Sequence, residues 1–261
     1  MDTLSTADFG LVGFPLQHSF SKEFFTRLFG QEKSGSTYEN FEIKDLSSEK
    51  LYELILMHPR LRGFNVTAPH KKTIMEFLDS MDDVAKMAGA VNTVKLVRDQ
   101  YGRVIALHGF NTDVEGFRES ISPLLVGIPQ ERRSALILGT GGASNAAAVA
   151  LEQLGFSWIK VSRNPKQGQI AYSDIDKNML ISNPVIVNAT PVGTFPNSDV
   201  CPEIPYHLLD NSNVCFDMVY NPPQTKFMAL ALAQGAKVKN GLEMLERQAL
   251  AALAIWRGTK P

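Results

Sequence analysis

The residues best suited to chemistry lie in one short stretch, where an amide, a hydroxyl and an amine follow an apolar run. Residues 61–66 predict a strand, with Asn65 inside it and Thr67 at its end. Pro69 suits the first turn of a helix, which would place Lys71 against the positive end of the helix dipole. Ligands of open α/β sheets bind at the carboxyl ends of strands. Lys71 is therefore a candidate for chemistry, although a solvated lysine beside an N-cap threonine would show the same pattern.

A second stretch has the composition of a nucleotide-binding turn. An apolar strand at 136–138 leads into Gly139-Thr140-Gly141-Gly142-Ala143, and an alanine-rich helical pattern follows. The first glycine permits a tight turn, and the second lets the backbone approach a pyrophosphate that rests on the helix N-terminus. The third position of the fingerprint is Ser144, which is small but not glycine. Because the glycines stand between a strand and a helix, a dinucleotide site is a more specific reading than a turn without a ligand.

The end of the next predicted strand, at 158–162, indicates which dinucleotide binds. Folds that bind NAD usually place Asp or Glu about 20 residues after the glycine turn, where it holds the ribose hydroxyls. This strand instead ends in Ser162, Arg163 and Asn164, with Lys166 close behind. Two basic residues are suited to a 2′-phosphate, although they would also occur in an ordinary solvated turn. The missing acid and the basic residues together favour NADP over NAD.

The bulk composition excludes several classes of protein. The chain has 261 residues, of which 44% are hydrophobic and 20% charged, and its net charge is -1. These values are typical of a soluble globular protein and give no electrostatic case for a nucleic-acid or membrane partner. Residues 1–5 do not resemble a signal peptide, and Cys201 and Cys215 are expected to be reduced thiols. The five histidines lack metal-ligand spacing. We therefore expect a cytoplasmic protein without a metal.

Short apolar runs alternate with helical patterns along the chain, which predicts mostly parallel sheets covered by helices. The predicted strands are 9–13, 38–43, 61–66, 91–97, 104–107, 135–138, 158–162, 185–188, 214–219 and a short one near Val238. The fourth and fifth strands flank a turn at 99–102 and predict a hairpin. The predicted helices are one with Ser21 as its N-cap, then 47–57, 69–78, 113–125, 145–154 and 242–256. The fold class is therefore α/β.

Eight motifs, in order along nearly the whole chain, resemble those of the shikimate dehydrogenase family. They are Gly-Phe-Pro-Leu-Gln-His-Ser-Phe-Ser at 13–21, Asn-Val-Thr-Ala-Pro-His-Lys at 65–71, Gly-Ala-Val-Asn-Thr at 89–93, Asn-Thr-Asp-x-x-Gly-Phe at 111–117, Gly-x-Gly-Gly-Ala at 139–143, Asn-Ala-Thr-x-x-Gly at 188–193, Asp-Met-Val-Tyr-Asn-Pro at 217–222 and Gly-Leu-Glu-Met-Leu-x-x-Gln at 241–248. The resemblance implies reversible reduction of 3-dehydroshikimate to shikimate with NADPH, on the route to chorismate and aromatic amino acids.

The resemblance also implies a two-domain organisation. An N-terminal α/β substrate domain with a mostly parallel sheet would comprise 1–111 and 240–261, the latter as a C-terminal helix that returns to it. A Rossmann NADP-binding domain would comprise 112–239, with the site in the cleft between the two. The implied ligands are small molecules, and the protein would act as a monomer or homodimer.

The matched positions imply a role for each site residue. Lys71 and Asp113 resemble the catalytic pair that handles a proton at the substrate carbonyl. The residues implied to bind the substrate are Ser19, Ser21, Asn65, Thr67, Asn92, Tyr220 and Gln248. The residues implied to bind the cofactor are Asp83, Gly139, Thr140, Gly141, Gly142, Ala143, Ser162, Arg163, Asn164, Thr190, Met218 and Gly241. Ser21 and Asp113 are also candidate helix N-caps.

The sequence departs from the family pattern at two places. Lys22 stands where the substrate loop commonly has proline, and Gln167 stands where a second cofactor-loop arginine is common. The second change leaves open a quinate/shikimate dehydrogenase with relaxed use of NAD and NADP. A non-catalytic binding homologue is a third reading, against which the intact Lys71 and Asp113 argue.

Overall fold

The computed structural model describes residues 7–16 and 20–259. The chain divides into two compact units. Unit 1 is Met1–Thr112 together with Ala249–Pro261, and unit 2 is Asp113–Gln248. Unit 2 is thus one continuous stretch of chain, whereas unit 1 is built from both ends.

Unit 1 contains a six-stranded mixed sheet with the order β2-β1-β3-β5-β6-β4. Its strands are β1 (Phe9–Gly13), β2 (Tyr38–Glu42), β3 (Gly63–Val66), β4 (Ser80–Met81), β5 (Thr93–Arg98) and β6 (Val104–Phe110). Strand β1 runs parallel to both β2 and β3, and β4 runs parallel to β6. Strand β5 is antiparallel to β3 and β6, so the predicted hairpin is confirmed. The helices before β6 are α1 (Phe20–Glu32), α2 (Ser48–Met57) and α3 (Asp83–Ala88).

The sheet of unit 1 separates two apolar clusters because successive side chains of a strand point to opposite faces. In β1, Phe9 and Leu11 enter the cluster that contains Trp256 near the C-terminus. Val12 enters the other cluster, which also contains Phe64 of β3. The alternation of side chains along β1 therefore determines which face of the sheet packs against Trp256.

Unit 2 contains a parallel six-stranded sheet with the order β12-β11-β10-β7-β8-β9. Its strands are β7 (Ser134–Leu138), β8 (Ser157–Ser162), β9 (Gln169–Ala171), β10 (Val185–Asn188), β11 (Val214–Asp217) and β12 (Lys237–Lys239). Helices α4 (Thr112–Ile121), α5 (Gly142–Gln153), α6 (Lys177–Ser182), α7 (Lys226–Ala233) and α8 (Leu242–Arg257) accompany them, with the first residue of α4 and the end of α8 counted in unit 1. The order reverses direction between β7 and β10, as in doubly wound dinucleotide-binding folds.

One predicted helix, at 69–78, is wrong. Residues 68–72 form turns, and only Thr73–Phe77 forms a short 3-10 helix. The Lys71 carbonyl accepts a hydrogen bond from the Val91 amide at 2.8 Å, and the Met75 amide donates to Lys72 at 3.1 Å, one residue short of the α-helical spacing. Lys71 therefore does not lie in the first turn of an α-helix, and the argument from the helix dipole does not apply to it.

The predicted N-cap at Ser21 and the alternative interpretation of Asp113 as an N-cap are also wrong. Helix α1 begins at Phe20 and α4 begins at Thr112, so Ser21 and Asp113 are both second residues of their helices. An N-cap has non-helical backbone geometry, which neither residue has. By contrast, Ser47 does cap α2, because its side chain accepts a hydrogen bond from the Lys50 amide.

Candidate active site

The turn after β7 is shaped by three glycines that serve different purposes. Gly139 has φ of +109°, and a side chain there would meet the Thr190 methyl group at 2.9 Å. Gly139 is therefore required by the chain's own packing. A Cβ added to Gly141 or Gly142 would meet no atom of the described chain within 4 Å. Open space above these two glycines, at the start of α5, is what close approach of a pyrophosphate needs.

A cavity of about 740 Å³ opens beside this turn, within unit 2. It is lined by Gly139, Thr140, Gly141, Val161, Ser162, Arg163, Asn164, Tyr172, Ala189, Thr190, Pro191, Val192, Val200, Cys201, Pro202 and Glu203. Lys166, the second basic residue of the predicted phosphate site, is absent from this described lining, and its backbone amide donates to Gln169 instead. Arg163 is therefore the basic side chain that faces the cavity. The cavity has the place and size expected for the adenosine half of a dinucleotide.

A second cavity of about 310 Å³ continues from the first along residues 189–191. It is lined by Ala143, Ala189, Thr190, Pro191, Thr194, Met218, Val219 and Tyr220. Gly241 lies directly against this wall, because a Cβ there would overlap the Met218 carbonyl oxygen. Met218 and Gly241, both predicted to line the nicotinamide, are thus neighbours. The two cavities together follow the carboxyl ends of the central strands.

A buried network that sequence reasoning missed stabilises this region. The fully buried Asp217 carboxylate accepts hydrogen bonds from the Asn188 amide at 2.9 Å, the Thr225 hydroxyl at 2.5 Å and the Val219 backbone at 3.0 Å. Asn188 also accepts hydrogen bonds from the backbone and hydroxyl of Thr190. The network therefore connects the turns after β10 and β11. Both residues lie in recognised motifs, but only the fold brings them together.

The pKa of Asp217 is raised from 3.8 to about 6, because burial disfavours the charged form more than its three donors favour it. The folded protein therefore holds this proton more tightly than the unfolded chain between about pH 4 and pH 6. Stability must then fall as pH rises through that window, since stability falls wherever the folded state binds more protons.

We expect Asp217→Asn to remove this pH dependence. The free energy of unfolding, measured by urea titration at pH 4, 5, 6 and 7, should fall less steeply with pH than in the wild type, by up to about 1.4 kcal/mol per pH unit. Asp199→Asn is the control, since that side chain is exposed. If the free energy of unfolding fell equally steeply with pH in the wild type and in Asp217→Asn, the titration of Asp217 in this range would be contradicted.

In unit 1, the predicted polar residues surround the end of β3. The Asn65 amide oxygen accepts a hydrogen bond from the buried Tyr38 hydroxyl at 2.9 Å, and its nitrogen donates to the Asn92 carbonyl and to the Thr93 hydroxyl. The Thr67 amide donates to Val12 at 2.9 Å. Both polar atoms of the Asn65 side chain therefore have protein partners within unit 1, which fixes the orientation of this side chain.

Asn92 belongs to the same buried network. Its amide nitrogen donates to the Thr112 hydroxyl at 3.0 Å, and its oxygen accepts from the Thr112 backbone at 2.7 Å. The Thr93 hydroxyl also donates to this oxygen. These contacts fix the start of α4, the helix on which Asp113 is the next residue.

Close packing of α4 against α8 positions two further predicted residues of unit 2, Asp113 and Gln248. Gly116 of α4 lies so close to α8 that a Cβ would meet the Met244 carbonyl at 2.5 Å and the Gln248 backbone at 3.0 Å. Gln248 is buried, and its amide nitrogen donates to the Leu245 carbonyl. The glycine of the Asn-Thr-Asp-x-x-Gly motif therefore allows α4, which carries Asp113, to pack closely against Gln248.

The remaining predicted positions have different surroundings. Ser19 lies outside the described residues. Ser21 bonds to Tyr38, whose pKa is raised chiefly by burial and lowered by this bond. Lys22, the departure in the substrate loop, pairs with Glu39 at 2.7 Å. Asp83 is 91% exposed in its side chain and pairs with Lys86. The described residues contain no group of three or more metal-ligating side chains and no helix long and apolar enough to span a membrane.

Comparison with known proteins gives a consistent result. Residues 11–94 match the family model described as the shikimate dehydrogenase substrate binding domain. The chain is 35% identical to a shikimate dehydrogenase (NADP(+)) of Methanococcus maripaludis over 97% of this chain and 92% of the relative. It is 33% identical to the enzyme of the same name from Desulforamulus reducens, over 95% of this chain and 89% of the relative. The crystal structure of shikimate 5-dehydrogenase from Thermus thermophilus in complex with NADP(H) and shikimate superposes with a TM-score of 0.80, at 31% identity over 98% of this chain and 95% of that one.

Proposed function

The chain belongs to the shikimate dehydrogenase family, and from that membership we propose that it interconverts 3-dehydroshikimate and shikimate with NADP. The observation that carries the proposal is the pair of adjoining cavities at the reversal of strand order, beside two glycines that leave open space and one arginine that faces the larger cavity. Neither a catalytically silent homologue nor a protein of another class needs this set of residues together with Lys71 and Asp113.

The residues of unit 2 fit NADP. Gly141, Gly142 and the first turn of α5 are suited to the pyrophosphate, and Arg163 is suited to the 2′-phosphate because a guanidinium forms paired hydrogen bonds with phosphate oxygens. Met218, Gly241 and Thr190 are assigned to the smaller cavity, where the nicotinamide would bind. Bound NADPH supplies the hydride that reduces the carbonyl carbon, and bound NADP accepts it in the reverse direction.

We assign the proton chemistry to Lys71 and Asp113. As the carbonyl is reduced, negative charge develops on its oxygen, and a proton must reach that oxygen. The Lys71 Nζ atom carries the charge and the donors that stabilise this oxygen. A carboxylate such as Asp113 favours the charged form of an ammonium partner and can accept a proton in its turn. The Lys71 carbonyl accepts a hydrogen bond from the Val91 amide, which fixes the backbone from which this side chain extends.

The substrate is assigned to the hydroxyl and amide groups of the matched motifs. Ser19, Ser21 and Tyr220 are proposed to hold its carboxylate, and Thr67, Asn92 and Gln248 to bind its ring hydroxyls, with Asn65 supporting Asn92. Each polar group of the substrate left without a partner would cost about 1–3 kcal/mol, so a triol acid needs a dense set of neutral donors and acceptors. In domain terms, we propose that residues 1–111 with 240–261 form the substrate-binding domain and that residues 112–239 form the Rossmann NADP-binding domain. We also propose a cytoplasmic enzyme, because Cys201 and Cys215 are both free thiols.

A matrix of steady-state rates tests the function. Shikimate and quinate are each oxidised with NADP and with NAD, and kcat/KM is determined for the four combinations. We expect the highest value for shikimate with NADP, because the phosphate of NADP pairs with Arg163. Comparable efficiency for quinate with NAD would replace this function with that of a quinate/shikimate dehydrogenase, and no turnover in any combination would indicate a binding homologue.

A further inference from the structure

The larger cavity of unit 2 contains an acid that the phosphate-binding assignment does not use. Among the described residues that line it, the side chains charged at neutral pH are Arg163 and Glu203. The lining therefore carries no net charge, although it is assigned to receive a phosphate of about -1.5 to -2 charge at neutral pH. An arginine alone would favour this phosphate, and a carboxylate in the same cavity opposes it.

The charges of Arg163 and Glu203 both act on the hydroxyl of Tyr172. Burial raises the pKa of the Tyr172 hydroxyl, the positive charge of Arg163 lowers it, and the negative charge of Glu203 raises it. All three side chains line the cavity. Arg163 and Glu203 are thus both close enough to the Tyr172 hydroxyl to shift its proton affinity in opposite directions.

The backbone holds Glu203 at this wall. The residue lies between Pro202 and Ile204, which are both buried. The Ile204 amide donates to the Pro202 carbonyl at 3.0 Å, and the Tyr206 hydroxyl donates to the same oxygen at 2.8 Å. Because its two neighbours are buried and hydrogen-bonded, the backbone of Glu203 is held beside the cavity that its side chain lines.

We propose that Glu203 is a specificity-determining residue that narrows the preference of this enzyme for NADP over NAD. The inference rests on the proposed NADP site. The Glu203 carboxylate repels the 2′-phosphate of NADP, whereas a carboxylate in this kind of site can accept a hydrogen bond from the free ribose hydroxyl of NAD. The absence of Lys166 from the cavity lining increases the effect, because Arg163 is then the one basic residue of the described lining that offsets Glu203.

Calorimetric dissociation constants for NADP, NAD and 2′,5′-ADP test this inference without relying on turnover. In Glu203→Gln we expect NADP and 2′,5′-ADP to bind about threefold to tenfold more tightly, with NAD unchanged or slightly weaker, because one unit of repulsion is removed across a solvated cavity. The gain should shrink at 0.5 M salt, since exposed charges are screened. Glu131→Gln is the matched control, because Glu131 is exposed and does not line the cavity. Arg163→Ala should have the opposite effect and weaken the binding of NADP.

Each other outcome overturns a specific statement. Equal changes for NADP and NAD in Glu203→Gln, no change, or the same change in Glu131→Gln would refute a role for Glu203 in discrimination. A selective gain for NADP in a protein that does not oxidise shikimate would uphold the role of Glu203 and refute the assigned substrate. Failure of the wild type to bind either dinucleotide would refute both.

Discussion

Lys71→Ala is expected to lower kcat by a factor on the order of 100 or more, with a much smaller change in KM for shikimate. The ammonium is assigned to the oxygen on which charge develops during the reaction, so its removal raises the energy of the transition state more than that of the bound substrate. A loss of this size corresponds to about 2.7 kcal/mol or more of transition-state stabilisation. Steady-state kinetics with shikimate and NADP at saturating cofactor measure both constants.

Lys72→Ala provides the matched control, because it removes an exposed lysine from the next position of the same turn. This variant should keep the wild-type kcat, since only the position of the charge differs between the two substitutions. Turnover in Lys71→Ala within a factor of about three of the wild type, or an equal loss in both variants, would refute a catalytic role for Lys71.

Trp256→Ala is expected to destabilise the protein by roughly 3–5 kcal/mol, the usual cost of emptying a large buried aromatic site. The indole stacks on Phe9 with ring centroids 4.8 Å apart, and its nitrogen donates to the Val94 carbonyl at 2.9 Å. It also lies directly over Gly63, where a Cβ would overlap the ring. The substitution thus removes a stacking contact and a buried hydrogen bond and leaves a cavity. Urea titration followed by far-UV circular dichroism measures the change.

Leu250→Ala in the same helix gives the comparison, because Leu250 is 45% exposed and Trp256 is 3% exposed. The Leu250 variant should lose less than about 1 kcal/mol, as expected for a partly exposed side chain away from the core. Similar losses in the two variants would show that the cost arises from the helix itself and not from the contacts of the indole.

The fold of unit 2 was largely predictable from the sequence because its strands are short apolar runs between turn signals. The prediction for 185–188 is confirmed to the residue, and those for 135–138 and 158–162 differ from β7 and β8 by one residue at their starts. Strand β9 was missed because three residues carry too little periodicity to be recognised. In unit 1, helix α3 was missed because its six residues are also too few to show a clear period, although the Asp82 side chain caps it by accepting a hydrogen bond from the Ala85 amide.

The site was predictable in its residue types but not in its contacts. The glycine turn and Arg163 were identifiable because each follows a predicted strand. The helix predicted after Pro69 is wrong because the Lys71 carbonyl accepts its hydrogen bond from the Val91 amide and not from within a helix. Val91 is 20 residues away in sequence, and no local pattern encodes that contact. Glu203 lies 40 residues after Arg163, and only the folded structure of unit 2 brings the two charges to one cavity.

The course of α8 has a consequence for synthesis of the chain. Unit 2 is continuous from Asp113 to Gln248, so all of its sequence leaves the ribosome before the end of α8 does. Unit 1 includes the residues that precede Asp113, yet its core lacks Trp256 until the chain beyond unit 2 emerges. Domains usually fold in the order in which they are made. Here the part made first is completed last, and a chain that stops short of Trp256 leaves an apolar face of its first sheet exposed.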